Sequence, residues 1–255
     1  MRNILTKFKN GELSLKETEK LLKLNYLSEI EDMYADLSRE YRTGIPEVVY
    51  GKGKKPDEIA KGLYLIAEKN GIGLSTKVEN IEDVVDNLKN IISDKYTIEI
   101  NERGKTIILR NKNYNYKKIG KVGILTGGTS DIPIAEECKE TLKLMNCETI
   151  TYYDVGIAGL HRLSTPLKHL INEEVSCIIA IAGMDGILPS FTASLVDIPV
   201  IGVPTSTGYG LKETPLLTML HSCVPGLVVV NMDNGFGAAV FAGLIVREIN
   251  KKLKR

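Results

Sequence analysis

Neither charge sign is in excess in this chain. Its 33 Lys and Arg residues stand against 32 Asp and Glu, for a formal net charge of +1, and neither sign dominates a long block. The electrostatic footprint of a protein that binds nucleic acid or an anionic membrane is missing, so small-molecule chemistry is the first expectation. Long hydrophobic runs are missing too. The longest near the end, residues 236–246, is too short to span a bilayer. The first ten residues alternate charged with apolar side chains, where a signal peptide needs an uninterrupted apolar core. The expected compartment is the cytoplasm. Cysteines are few and scattered: Cys138, Cys147, Cys177 and Cys223 form no C-x-x-C pair, and the three histidines complete no metal-ligand pattern with them. A protein-ligated zinc is therefore not expected; nor, separately, is a tightly bound cofactor. In a reducing compartment these are free thiols, and most buried thiols are small apolar packing units.

What is present divides into two regions. The first, residues 1–116, is rich in Lys, Glu and Asn and reads as a small α+β region. Ser14-Leu15-Lys16-Glu17 is a capping box opening a short amphipathic helix. A second helix starts at Pro56, with Asp57 and Glu58 in its first turn, and ends at Asn70-Gly71. A third apolar-periodic stretch covers 81–92. Strand-like runs at 96–100 and 106–109 flank turn residues and read as a hairpin. The Lys- and Asn-rich segment 111–118 reads as the boundary.

From residue 117 to 255 the pattern changes to short continuous apolar runs at 122–125, 150–153, 177–181, 200–203 and 227–230. Strands covered on both faces read this way. Helical spacing fills the gaps, and a last helix over about 236–252 ends in basic residues that suit its C-terminal dipole. Strand and helix alternating five times imply an open parallel five-stranded sheet with helices on both faces and right-handed crossovers. Ligands of such sheets sit beyond the C-terminal ends of the strands.

The loops expected there are unusual. The first carries Gly127, Gly128, Thr129, Ser130 and Asp131 between a strand and a helix, where glycine amides, hydroxyls and a helix N-terminus suit a phosphate or ribose; as plain structure, Ser130 or Asp131 caps the helix. The second places His161 beside Arg162, a proton carrier next to a permanent cation that can clamp a phosphate. Otherwise these are a core histidine and an arginine paired with a surface carboxylate. The third sets Asp185 among Gly183, Met184 and Gly186, as a base, a substrate-orienting group or a helix cap. The fourth, Gly202-Val203-Pro204-Thr205-Ser206-Thr207-Gly208-Tyr209-Gly210, is too rich in glycine and hydroxyls for an ordinary linker and reads as a mobile wall of the pocket. Before the last strand, Cys223 sits between His221-Ser222 and Val224-Pro225-Gly226. After that strand come Asn231, Asp233, Asn234 and Gly235, whose carboxylate and amides serve a nucleotide or cap the terminal helix.

The run Gly128-Thr129-Ser130-Asp131, then Ala158-Gly159-Leu160-His161-Arg162, then 182–189 and 199–204, resembles aminoimidazole ribonucleotide carboxylase of purine synthesis, a flavodoxin-like family that forms octamers. That resemblance implies that Ser130, Asp131 and Arg162 hold ribose and phosphate while His161 handles a proton. Nearly the whole chain is also similar to the LarB family of nickel-pincer nucleotide biosynthesis. The shared motifs are 126–133, 153–162, Ala182-Gly183-Met184-Asp185-Gly186, Ser222-Cys223-Val224-Pro225-Gly226, 231–237, and the N-terminal stretches 42–49 and 51–54; the N-terminal stretches are absent from the purine enzyme. The family carries Asn where His221 stands.

LarB proteins convert nicotinic acid adenine dinucleotide, CO2 and water into pyridinium-3,5-biscarboxylic acid mononucleotide and AMP. The resemblance implies the dinucleotide and CO2 or bicarbonate as partners and a homo-octamer; the chemistry of phosphoanhydride hydrolysis adds the expectation of Mg2+ assisting at the substrate phosphates. An electron-poor pyridinium ring needs help to attack CO2. Addition of the Cys223 thiolate to a ring carbon makes C5 nucleophilic, with Asp185 first and His161 second as the base that removes the C5 proton. A ribonucleotide carboxylase or mutase needs His161 but no thiol. A third reading, a non-catalytic nucleotide sensor, should have lost the reactive groups that this sequence keeps.

Overall fold

The computed structural model describes residues 2–24, 28–30, 33–36 and 39–253; the ends of the two expected regions, Met1 and Lys254-Arg255, lie outside them. The chain divides into two compact units. One comprises Met1–Glu99 with Ile107–Tyr114, the other Ile100–Thr106 with Asn115–Arg255. Among the described residues no helix is long and apolar enough to cross a membrane.

In the first unit the helices α1 (Arg2–Lys9) and α2 (Leu15–Leu24) precede a two-stranded antiparallel ribbon, β1 (Ser28–Ile30) and β2 (Met33–Ala35), and a short helix α3 (Arg39–Thr43). The capping box forms: the Ser14 amide donates to Glu17 Oε2 at 2.9 Å, and the Glu17 amide donates back to Ser14 Oγ at 3.2 Å. Next come β3 (Val49–Tyr50), α4 (Pro56–Asn70), β4 (Ile72–Thr76), α5 (Ile81–Ile91), β5 (Tyr96–Asn101) and β6 (Thr106–Asn111). The strands β3 to β6 form one sheet in the order β3-β4-β6-β5. The helix α4 starts where Pro56 needs no amide donor and the Lys55 amide finds Glu58 Oε2 at 3.0 Å. Its apolar stripe, with Ile59, Leu63 and Ile66, packs with Val84 and Leu88 of α5 and Ile107 and Leu109 of β6. Each fully buried Leu or Ile of this kind stabilises the unit by roughly 1.5–3 kcal/mol.

The second unit runs β7 (Lys121–Thr126), α6 (Ile132–Leu144), β8 (Glu148–Tyr152), α7 (His161–Asn172), β9 (Ile178–Ala182), α8 (Leu188–Ala193), β10 (Val200–Pro204), α9 (Thr214–Leu220), β11 (Leu227–Val229) and α10 (Gly235–Leu253). The five strands are all parallel in the order β11-β10-β9-β7-β8, a flavodoxin-like sheet. Strand alternation divides the core in two. Ile179 and Ile181 of β9 face the layer made by α6 and α10, with Leu142, Ala238 and Ala242, whereas Ile178, Ala180 and Ala182 face Leu163, Leu167 and Leu170 of α7. Both faces of β9 are dry, which is why its sequence is uninterruptedly apolar.

Candidate active site

The strand β7 is flanked by β8 on one side and β9 on the other, so the chain leaves its C-terminal end in opposite directions and opens a crevice there. A cavity of about 740 Å³ occupies this place, lined from the loops after β7, β8, β9 and β10. Its base is backbone laid on backbone. A Cβ on Gly156 would overlap the carbonyl oxygen of Gly127 and come within 3.2 Å of its carbonyl carbon, so only glycine permits the loops after β7 and β8 to touch.

The amides expected to greet an oxyanion are partly engaged: Gly127 N–H donates to Ile181 O at 2.8 Å and Gly128 N–H to Asp131 Oδ2 at 2.9 Å. The side chains this region offers a phosphate are the Ser130 hydroxyl and the Arg162 guanidinium, both in the cavity lining. Asp131 is 3% exposed. Its Oδ1 accepts from Thr205 Oγ1 at 2.6 Å and from Thr207 Oγ1 at 3.0 Å. With Gly128, that makes three donors on one buried carboxylate, which satisfies the cost of taking it out of water. Asp131 therefore ties the loop after β7 to the loop after β10 as well as lining the cavity. The sequence marked the loop of Thr205 and Thr207 as a pocket wall by its hydroxyl- and glycine-rich composition; their bonds to Asp131 carried no such signal.

Arg162, in the first turn of α7, donates to Asp154 Oδ2 at 2.6 Å, with both side chains substantially exposed. Water screens such a pair, so it contributes little to stability. Replacement Arg162→Ala is expected to leave the melting temperature nearly unchanged and to raise KM for a phosphorylated substrate roughly 10- to 100-fold, as steady-state kinetics would show. Asp154 itself is held in the left-handed region, φ 56, with its amide on Thr126 Oγ1 at 3.0 Å. Just before it, Tyr153 donates its hydroxyl to Glu136. Burial and that bond push its phenol above the ordinary range, which makes it a permanent donor at working pH. His161 is exposed at the start of α7 and is not part of the cavity lining.

The loop after β9 brings Gly183, Met184 and Asp185 into the lining with Ile187 and Leu188. Met184 is 61% exposed, and Asp185 is exposed, with its Oδ1 accepting the Ile187 amide at 3.3 Å. A carboxylate thus stands among apolar side chains, able to accept a proton from a bound ring. Gly128, Ser130, Asp131, Arg162, Gly183, Met184 and Asp185 are together in the cavity; Thr129, Gly186, Cys223, Asn231, Asp233, Asn234 and Gly235 are outside its lining. In the loop after β11, Asn234 Oδ1 accepts the Gly237 amide at 2.8 Å, a cap on α10, and the Gly235 carbonyl accepts from Cys138 Sγ at 3.2 Å.

Cys223 lies between α9 and β11, hence at the N-terminal edge of the sheet. The Val200 amide, at the start of β10, donates to Gly226 O at 3.0 Å, while the cavity lies at the other end of that strand. Cys223 is exposed, and the other three cysteines are buried. Burial pushes the Cys147 thiol up to about 12; burial, with Cys147 adding to it, does the same for Cys177. Native protein treated with iodoacetamide is therefore expected to label at one thiol per chain, a label lost in Cys223→Ala; mass spectrometry showing rapid labelling at a second cysteine would refute this.

The AIR carboxylase family model matches residues 121–255, more than half of the chain. The chain belongs to the AIR carboxylase family. As a member of it, the protein is an enzyme of a carboxylase and mutase lineage, and its cavity occupies the matched region. Residues 28–112 match a second model, the LarB/PurE-like N-terminal domain. An uncharacterized protein of Methanocaldococcus jannaschii is 62% identical over 252 residues, covering 98% of each chain. The N5-carboxyaminoimidazole ribonucleotide mutases of Thermotoga maritima and Pyrococcus horikoshii are 31% and 34% identical; each alignment covers 52% of this AIR carboxylase family chain, and 81% and 78% of theirs.

Proposed function

We propose that this enzyme carboxylates the pyridinium ring of nicotinic acid adenine dinucleotide at C5 and hydrolyses the phosphoanhydride, giving pyridinium-3,5-biscarboxylic acid mononucleotide and AMP. The observation that carries the reading is the carboxylate of Asp185 among Met184, Ile187 and Leu188, in one cavity with Ser130 and Arg162. One wall suits a flat apolar ring and the others suit its phosphates. The N-terminal match at 28–112 supports the same reading.

In this scheme Arg162 exchanges Asp154 for a phosphate oxygen, and Ser130 donates beside it. The Cys223 thiolate adds to a ring carbon adjacent to C5, and the positive ring nitrogen takes up the electron pair. C5 of the resulting enamine attacks CO2 and forms the new carbon–carbon bond. The Asp185 carboxylate removes the C5 proton, and departure of the thiolate restores aromaticity. Water attacks the phosphoanhydride to release AMP. Among the described residues no three His, Cys, Asp or Glu side chains cluster as a metal site. Mg2+ would supply charge neutralisation at the substrate phosphates.

In this reading the thiol comes from another copy of the chain. Within one protomer Cys223 and the cavity are separated by the length of β10, five residues at about 3.3 Å each. Leu217 and Leu220, on the helix that precedes Cys223, are more than half exposed, as are Met184 in the cavity lining and Leu211 in the segment after β10. Mutual covering of such apolar surface drives association, and a cyclic or dihedral homo-oligomer repeats the contact at every site.

Incubation with nicotinic acid adenine dinucleotide, bicarbonate and Mg2+, read by mass spectrometry, tests the proposal. The expected products are the dicarboxylated mononucleotide and AMP. No product from the dinucleotide, with turnover of a carboxylated aminoimidazole ribonucleotide, would move the assignment to purine synthesis.

A further inference from the structure

We infer that Asp233, outside the cavity, is a positioning residue that holds the cavity wall formed by Thr207. After β10 the chain crosses the end of β9: Thr205 N–H donates to Ala182 O at 3.0 Å, and Thr207 O accepts the Met184 amide at 3.3 Å. The side chains of Thr205 and Thr207 turn to Asp131, as alternate residues of extended backbone do. The intervening amide of Ser206 donates to Asp233 Oδ1 at 2.9 Å. The Asp233 amide in turn donates to Pro204 O at 2.9 Å. One residue thus grips the crossing segment at two points, on either side of Thr205.

The grip matters because the next residues carry few restraints of their own. Gly208 and Gly210 have φ of +113 and +86, and Tyr209 between them is 90% exposed. Thr207 and Gly208 are cavity lining. Asp131 holds this wall from the β7 side and Asp233 from the β11 side. Asp233 adopts φ 53, a conformation that Asn shares and Gly adopts freely. This sorts the variants: Asp233→Asn keeps the acceptor and the backbone, while Asp233→Gly keeps the backbone alone.

The catalytic arm of the test rests on the proposed dinucleotide reaction; the exchange arm does not. In ligand-free protein, hydrogen exchange across residues 205–211 is expected to accelerate about tenfold in Asp233→Gly and to stay within about threefold of wild type in Asp233→Asn. With nicotinic acid adenine dinucleotide as substrate, Asp233→Gly is expected to raise KM about tenfold with kcat within about twofold, and Asp233→Asn to restore KM. Unchanged exchange in Asp233→Gly, or equal impairment by Asn and Gly, overturns the inference; equal impairment would instead assign the carboxylate's charge to the ligand. Should wild type not turn over the dinucleotide, the exchange comparison still decides for or against the grip.

Discussion

Cys223→Ala protein is expected to fold and assemble as wild type does and to form no carboxylated product, with kcat lowered by at least about a thousandfold. Folding is spared because the side chain is exposed and replaces no packed group. Catalysis is lost because no other group supplies the electron pair that makes a pyridinium carbon nucleophilic. The three remaining thiols are buried. The proposed two-chain site makes a sharper form of the prediction. Cys223→Ala and Asp185→Asn chains, each inactive alone, are expected to recover about a quarter of wild-type activity when co-assembled at equal ratio, because random assortment places an intact Cys223 against an intact Asp185 at that frequency. Product formation by the mixed particles, separated by differential tags, is the measurement. Failure to complement, with both variants assembled, would place the thiol within its own protomer's reach and contradict the topology.

The second large effect is expected from the smallest substitution. A Cβ on Gly183 would overlap the Thr207 hydroxyl and stand 2.5 Å from the Thr207 carbonyl oxygen and 3.0 Å from Thr205 Oγ1. A hydroxyl can rotate away, but the Thr207 backbone cannot. Gly183→Ala must therefore lift the segment that crosses β9, breaking its bonds to Asp131 and displacing one cavity wall. We expect kcat/KM to fall about 100-fold with a stability loss of about 1–3 kcal/mol. Parallel kinetics and thermal melts would separate the two effects. Wild-type kinetics from a correctly folded Gly183→Ala enzyme would mean that the Thr207 wall has no part in binding.

Much of this was legible in the sequence because the central parallel strands, β7, β9 and β10, are buried on both faces and leave a plain record, while the edge strands β8 and β11 are only partly covered. The run Ile178-Ile179-Ala180-Ile181-Ala182 has no polar face, and each such run is followed by a polar, glycine-rich loop. That periodicity gave five strands and the edge of the sheet where the cavity lies. The candidate site was less legible, since its organisation depends on pairings across the fold. Asp131 meets Thr205 and Thr207 across 74 and 76 residues, a separation that no local spacing encodes. Asp154 gave no hint of being the partner of Arg162, because seven residues of turn and helix start lie between them. The position of Cys223 was implicit, however: a helix-to-strand connection in a parallel sheet lies at the edge opposite the strand-to-helix loops. Its functional weight came from its motif.

The contact of Gly156 on Gly127 bears on redesign. Here the cavity's frame is main chain against main chain, and its chemistry is hung from that frame by side chains such as Ile157, Met184 and Ile187. A library that randomised Gly156 or Gly183 would mostly yield broken enzymes. One that left 156 and 183 alone and varied those three side chains would explore new substrates on an undisturbed scaffold, as a lathe accepts new tools in an unchanged chuck.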